Sequence, residues 1–257
     1  MKEDRQFVTA LSRGLEVLRC FTAERVELGT TEIARLTGMP QPTVWRLCYT
    51  LSKLGYLVPG KDPERLRAGP GVLALGGASI AQAGIADIAY PHMAEIARRF
   101  EASVSLAARD RLQMVIVQRA EASTMLRLNF HVGSPLDIER SAVGCAYLAS
   151  VSDAEREQIL EQVREKMSVG SATKWRQTRA FVLESVEFYQ QHGHVLNLRR
   201  YHPDVNALGV AVVSRDGRRV LGLNCGGSSS IVTEEKLRGP IATVMKATAV
   251  KLSAMMT

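Results

Sequence analysis

A mixed α+β chain of two domains is the fold class this sequence predicts, and three observations predict it. At 257 residues and 46% apolar composition there is material for two cores, whereas one domain of that length would be large. Residues 30–53 place apolar side chains at helical spacing on both sides of a glycine. Beyond Ile85 the texture changes to helical and strand patterns in alternation, which predicts an antiparallel-rich sheet with helices packed on it. No internal repeat or low-complexity tract interrupts either half.

Val8, Leu11, Leu15 and Leu18 predict a first helix, with Phe21 closing its end. Ile33, Ala34 and Leu36 predict a short second one. Thr30 or Thr31 is its expected N-cap, and Glu32 falls in the first turn, where a carboxylate suits the helix dipole. Gly38 follows the last periodic residue and can take the left-handed conformation that turns the chain sharply. Pro42 falls in the first turn of a third helix, where a missing N–H does no harm. Val44, Leu47, Leu51 and Leu54 then predict a buried stripe. Ala34 is small, so the two helices can cross closely. A small residue, a turn glycine and apolar residues six and nine positions beyond it have the spacing of a DNA-reading helix-turn-helix.

The outward face of the third helix agrees. Thr43, Arg46, Thr50 and Lys53, flanked by Gln41, Trp45 and Tyr49, offer donors, and no acid lies between Gly38 and Lys61. A solvated helix face usually mixes Glu with Lys; a major groove favours this acid-free one, where Arg reads guanine, Gln reads adenine, and hydroxyls and Lys hold phosphates. Tyr56–Val58 and the neighbours of Leu66 predict a hairpin wing with its tip at 60–64, and Lys61, Arg65 and Arg67 as cations for the phosphate backbone. Pro70 and Gly71 open a helical connector weakened by Gly76 and Gly77.

In the second domain, 85–100 predicts an amphipathic helix containing Pro91, and 103–109, 113–119 and 125–130 predict strands. Helices follow over 141–150, 153–166 and 178–193, with Ser152 as a cap. Strands are expected at 194–198, 207–214 and 220–225, the last two a hairpin across Asp216-Gly217. Thr233 caps a final helix through Lys251. The segment from Asn224 to Ser230, NCGGSSS, reads as a strand end and a loop of small residues; its backbone N–H groups fit an anion as well as they fit an ordinary turn.

The net charge of +7 is compatible with a nucleic-acid partner. It is spread over both halves, so binding should be local and geometric. Cys20, Cys48, Cys145 and Cys225 form no metal pattern and read as buried reduced thiols. His192, His194 and His202 lie close in sequence without completing a metal site. Cys145 or Cys225 paired with a histidine would be needed for a thiol enzyme, and nothing local activates either. No catalytic residue, cofactor or metal is expected. The charged start and the lack of a long apolar run predict no membrane association and cytoplasmic residence.

This order of parts resembles the IclR family of bacterial transcriptional regulators, and the resemblance spans nearly the whole chain. ALSRGLEVLRCF is similar to the family's opening helix, TTEIARLTGMPQPTVWRLCYTLSKLGYL to its reader with Arg46 as the usual arginine, and LRAGPGVLALG to its wing and linker. Pro42 stands where many members have Ser. VGSPLDIERSAVGCAYLAS resembles the loop and helix that cover the family's pocket, with departures at Glu139-Arg140-Ser141 and Gly144-Cys145-Ala146.

The resemblance implies a winged helix-turn-helix domain over 1–69, a linker helix over 70–84 and a GAF-like effector-binding domain over 85–257. It implies a pocket at Ala142, Val143, Asn197, Ala207, Asn224 and Gly226, a small organic-acid effector, and a homodimer or dimer of dimers. With it, the 224–230 segment reads as an anion contact, and Arg127, Arg140 and Arg199 become candidate guanidinium partners for a carboxylate. The reading is of a double-stranded operator bound at bases by Gln41, Thr43, Arg46 and Tyr49, with repression ahead of activation. A DNA-binding architectural protein without a ligand is the alternative, although the second domain is larger than a dimerisation surface requires.

Overall fold

Residues 6–22, 24–81, 84–122, 130–167 and 172–256 are described by the computed structural model, and they fall into two units, Met1–Gln82 and Ala83–Thr257. The N-terminal unit runs α1 (Thr9–Arg19), β1 (Glu27–Gly29), α2 (Thr30–Thr37), α3 (Gln41–Lys53), β2 (Leu57–Pro59), β3 (Arg65–Ala68) and α4 (Pro70–Ala81). Gly38 ends α2 at φ +70°, and its N–H reaches the Ala34 carbonyl at 2.9 Å. A side chain at that φ would be strained, so the glycine sets the turn into α3. Gly29, not either threonine, is the N-cap of α2; the Glu32 carboxylate accepts its N–H at 2.8 Å, which supplies the return half of a capping box. The wing hairpin forms as expected, with Val58 opposite Arg67, and gains a third strand because Leu28 of β1 pairs with Leu66.

The expected stripes of α1 and α3 are corrected. Leu11 is 62% exposed, Leu15 47% and Leu54 62%, while the core is built on Val17, Cys20, Leu28, Ile33, Val44, Cys48 and Leu57. Both helices carry two overlapping apolar registers, and α1 meets α3 through Val17 and Cys20. The outer register therefore lines a groove of about 670 Å³ walled by Leu11, Leu15, Leu47, Leu51, Leu54 and Leu75.

The second unit contains α5 (Gly84–Phe100), β4 (Ser103–Asp110), β5 (Gln113–Glu121), β6 (Pro135–Asp137), α6 (Ala142–Ser150), α7 (Asp153–Lys166) and α8 (Ala172–His192). After these come β7 (Val195–Leu198), β8 (Val205–Val213), β9 (Val220–Ser228), α9 (Glu234–Lys236) and α10 (Ala242–Met255). The six strands form one antiparallel sheet in the order β6-β5-β4-β9-β8-β7. α5 and α10 cover one face over Val104, Leu106, Leu208, Val210 and Leu223. α6 and α8 cover the other over Ala107, Met114, Ile116 and Val195. Among the described residues no helix is long and apolar enough to cross a membrane.

Several boundaries move. α8 begins at Ala172 rather than 178, and β6 is an edge strand too short to show a pattern. The strand expected at 125–130 lies outside the described residues except for Phe130, which has no regular structure. The final helix starts at its Thr233 cap, then widens to a π-turn over Leu237–Ile241 around Pro240, whose missing N–H breaks the regular ladder. The segment read as a strand end and anion-binding loop is strand for longer than expected: β9 extends to Ser228, paired to β4 as far as Gly226 and to β8 throughout, and Ser229 and Ser230 form the turn.

Candidate nucleic-acid and effector sites

On α3 the buried direction is set by Val44 and Cys48, so residues near the opposite side of the 100° wheel face solvent. Trp45 and Tyr49 stack there with centroids 5.7 Å apart, and Lys53 Nζ lies 5.4 Å from the centroid of the Tyr49 ring. This i, i+4, i+8 ladder stiffens one side of the exposed face. Arg46 stands beside it, exposed, and its guanidinium has no partner among the described residues. The flanking residues are more committed. The Gln41 amide donates to Thr31 Oγ1 at 3.1 Å, and Thr50 Oγ1 donates to the Arg46 carbonyl at 3.0 Å. Thr43, Thr50 and Arg46 itself also line the apolar groove.

The wing cations also separate. Arg65 Nη2 donates to the Glu27 carbonyl at 2.7 Å and pairs with Glu32 at 2.8 Å, so it ties β3 to β1 and α2. The Gly29 N–H and then Arg65 hold the Glu32 carboxyl below its ordinary range. Arg65, expected as a phosphate contact, is thus engaged within the fold. Arg67 Nε reaches the Pro59 carbonyl only at 3.3 Å and stays exposed. At the tip Lys61 anchors by its backbone N–H to Glu27 Oε1 at 3.0 Å, leaving the ammonium in solvent.

The second unit encloses a cavity of about 80 Å³ between its sheet and the start of α6. Ala142, Asn197, Ala207, Asn224 and Gly226 line it, as expected. Val143 does not: it is fully buried and packs over Gly222. α6 sits this close because Gly209 has no side chain; a Cβ there would collide with the Ala142 carbonyl. Ser141 caps α6, its Oγ accepting from Gly144 N–H at 3.1 Å and donating to the Asp137 carbonyl at 2.7 Å. Asn197 braces two loops, donating to the Arg140 carbonyl at 2.6 Å and accepting from Tyr201 N–H at 3.0 Å.

None of the three arginines considered as carboxylate partners lines this cavity among the described residues. Arg140 pairs with Asp137 at 3.4 Å and lies over Tyr201, Arg199 is exposed at φ +60°, and Arg127 is outside the described residues. The arginine that does line it is Arg119, whose side chain is only 9% exposed. Its Nη1 donates to Ser105 Oγ at 3.1 Å and its Nη2 to Ser103 Oγ at 3.0 Å. Its other edge meets Glu121 Oε2, from Nε at 3.3 Å and Nη2 at 3.0 Å. Phe130, Tyr201 and His202 also line it, with Ile116, Leu136 and Val205, and burial pushes the Tyr201 hydroxyl up.

All four cysteines are free and buried, and burial pushes Cys145 and Cys225 up to about 12, which leaves neither a thiolate. His194 is buried and held below its ordinary value by loss of solvent. Among the described residues no cluster of His, Cys, Asp and Glu is arranged to hold a metal.

Comparison with known proteins accounts for both units. A model of the IclR helix-turn-helix domain matches residues 10–59, and one of the bacterial transcriptional regulator IclR C-terminal region matches residues 77–254. The HTH-type transcriptional regulator TsaQ1/TsaQ2 of Comamonas testosteroni is 30% identical over 241 residues, 93% of this chain and 85% of that protein. The crystal structure of an IclR family transcriptional regulator from Brucella abortus superposes with a TM-score of 0.88 at 39% identity, covering 99% of this chain and 95% of that one. An IclR homolog from Microbacterium hydrocarbonoxydans, solved in complex with 4-hydroxybenzoate, shares the fold with a TM-score of 0.71 at 20% identity over 95% of this chain and 98% of its own.

Proposed function

We propose that this chain, which belongs to the IclR family of bacterial transcriptional regulators, is a cytoplasmic repressor that binds a double-stranded operator and is controlled by a small organic acid. Its relatives are regulators rather than enzymes. The observation that carries the DNA reading is the exposed, acid-free face of α3, where Trp45, Arg46, Tyr49 and Lys53 stand clear of the fold. Arg46 and Tyr49 read base edges, with Gln41 and Thr43 at the margins; Thr50, Lys53, Lys61 and Arg67 hold phosphates. Residues 1–69 form the reader, 70–84 the connector and 85–257 the effector domain.

The organic-acid reading is supported by the Arg119 guanidinium and the Asn224 amide in the wall of the cavity and by the 4-hydroxybenzoate held by the Microbacterium relative. The α1 and α4 side of the apolar groove, at Leu11, Leu15 and Leu75, supports a homodimer, since exposed leucines are what a second copy would cover while Thr43, Arg46 and Thr50 on the α3 side stay open to DNA. Two-fold pairing would match a near-palindromic operator, and a dimer of dimers would span two of them.

Selection of random duplexes by the full-length protein, followed by a reporter carrying the selected site over its promoter, tests the function. An inverted repeat and lowered expression are expected, relieved by an acid that binds the protein. Enrichment of no sequence would reject specific DNA reading and favour an architectural role; raised expression would reverse the sign of regulation.

A further inference from the structure

Strand register places Arg119 and Asn224 on either side of Ser105, which is opposite Arg119 on β5 and opposite Asn224 on β9. All three therefore share the cavity face of the sheet. Its bonds to Ser103 and Ser105 draw the guanidinium over β4, so it stands about one strand spacing, ~5 Å, from the strand of Asn224. Two needs meet across that gap. One Nη1 proton of Arg119 has no acceptor among the described residues, in a side chain almost withdrawn from water. The Oδ1 of Asn224 is buried and has no donor among the described residues. Ser105 stands between them, and in the next row the floor beside Asn224 is low, because Gly226 and Ala207 present a methyl group or less.

We propose that the effector is a compact hydroxy acid whose carboxylate is bound by Arg119 and whose hydroxyl, on the carbon α or β to the carboxyl group, donates to Asn224 Oδ1. The proposal rests on the reading of this cavity as the effector site. The guanidinium supplies a charge-assisted donor to the anion. An unfilled buried carbonyl favours a ligand that brings a donor over one that does not, because the second leaves the oxygen unpaired. The strand spacing limits the separation of the two ligand groups to a few bonds. Glu121 sits on the outer edge of the guanidinium at 46% exposure and competes with the incoming carboxylate.

Calorimetry on the full-length protein with matched acids tests this: acetate against glycolate, propionate against lactate, butyrate against 3-hydroxybutyrate. The hydroxy member of at least one pair is expected to bind tenfold or more tightly. Asn224→Ala should bring that ratio near one, and Arg119→Gln should weaken both members at least tenfold. Glu121→Gln should tighten both, an effect that a merely structural Arg119–Glu121 pair would not produce. Thermal melts establish that each variant folds; if Arg119→Gln does not, Arg119→Lys keeps the charge without the fork and should still weaken binding.

Equal affinity within every pair would overturn the proposal, as would wild-type affinity in the folded arginine variant. Pyruvate binding more tightly than lactate would reverse the demand at Asn224 and overturn it too. Those outcomes leave the acid-effector reading standing. Binding of none of these acids nor of benzoate or 4-hydroxybenzoate would overturn both.

Discussion

Arg46, Lys61 and Arg65 are all cations of the reader, yet the structure assigns them different costs on removal. Arg46 is exposed and its guanidinium has no partner among the described residues, so Arg46→Ala should leave the melting temperature unchanged. If Arg46 makes the proposed base contact, the substitution should cost about 1–3 kcal/mol at the operator, a loss of roughly 5- to 150-fold in affinity, concentrated at one base pair. The Lys61 ammonium also has no partner among the described residues, and it is proposed as a phosphate contact. Lys61→Ala should weaken all sequences alike and reduce the slope of log affinity against log salt by about 0.9. Arg65→Ala should do the reverse: its bonds to the Glu27 carbonyl and to Glu32 hold β3 against β1 and α2, so the N-terminal unit melts earlier while the salt slope is retained. Fluorescence anisotropy on a labelled operator from 50 to 200 mM salt, with circular-dichroism melts of each variant, separates the three (~50 and ~200 mM being the range over which counterion release is large). A salt slope reduced by Arg65→Ala but untouched by Lys61→Ala would refute the assignment of strut and contact.

Three further outcomes are expected. The half-buried Glu139 carboxyl is held above its ordinary value chiefly by loss of solvent; its contribution to stability is therefore present below the unfolded value near 4.5 and lost as pH rises through the folded one, so Glu139→Gln should flatten urea stability across that window and raise it at neutral pH. Ser141→Ala should cost about 1–3 kcal/mol in the same assay, because it removes the cap of α6 and strands the buried Gly144 N–H. The helix α4 runs through Gly76 and Gly77, and a Cβ at Gly76 would meet open space, so replacing both by Ala should strengthen that helix by roughly 1 kcal/mol per residue; effector affinity should persist while its influence on DNA binding falls, and loss of dimer in sedimentation with normal coupling would instead show that the glycines serve packing.

The reader was legible because its signals are short-range. Gly38, Pro42 and the spacing from Ala34 to Leu47 lie within one helical hairpin, and each acts through local backbone geometry. The face that α1 buries was not legible. Leu11, Leu15 and Leu18 make as good a helical stripe as Val17 and Cys20, and only packing against Val44 and Cys48 decides between them. Composition misled at Asn224 to Ser230 for a related reason. Glycine and serine signal a loop when a segment stands alone, but β9 lies in the middle of the sheet, and ladders on both sides outweigh the weak propensity of its glycines.

The cavity shows the same limit at the level of a single side chain. Its expected lining came from the family resemblance, and five of those six positions do face it. Arg119 was passed over for the surface arginines Arg140 and Arg199. Strict alternation from Met114 and Ile116 puts Gln118 on the cavity face and Arg119 on the opposite one. In the folded sheet Leu106 is opposite Gln118 but Ala107 is opposite Ile116, so Val117 is an extra residue in β5. That bulge reverses the parity of everything beyond it: Ile116 packs under α6, Val117 packs toward α5 and α10, and Arg119 turns into the cavity beside Ser103 and Ser105. A bulge depends on how two strands meet, which neither strand's sequence records. The extra residue at Val117 thus lets both Ile116 and Arg119 face α6, and deleting Val117 should leave a regular ladder with Arg119 still opposite Ser105 on the cavity face.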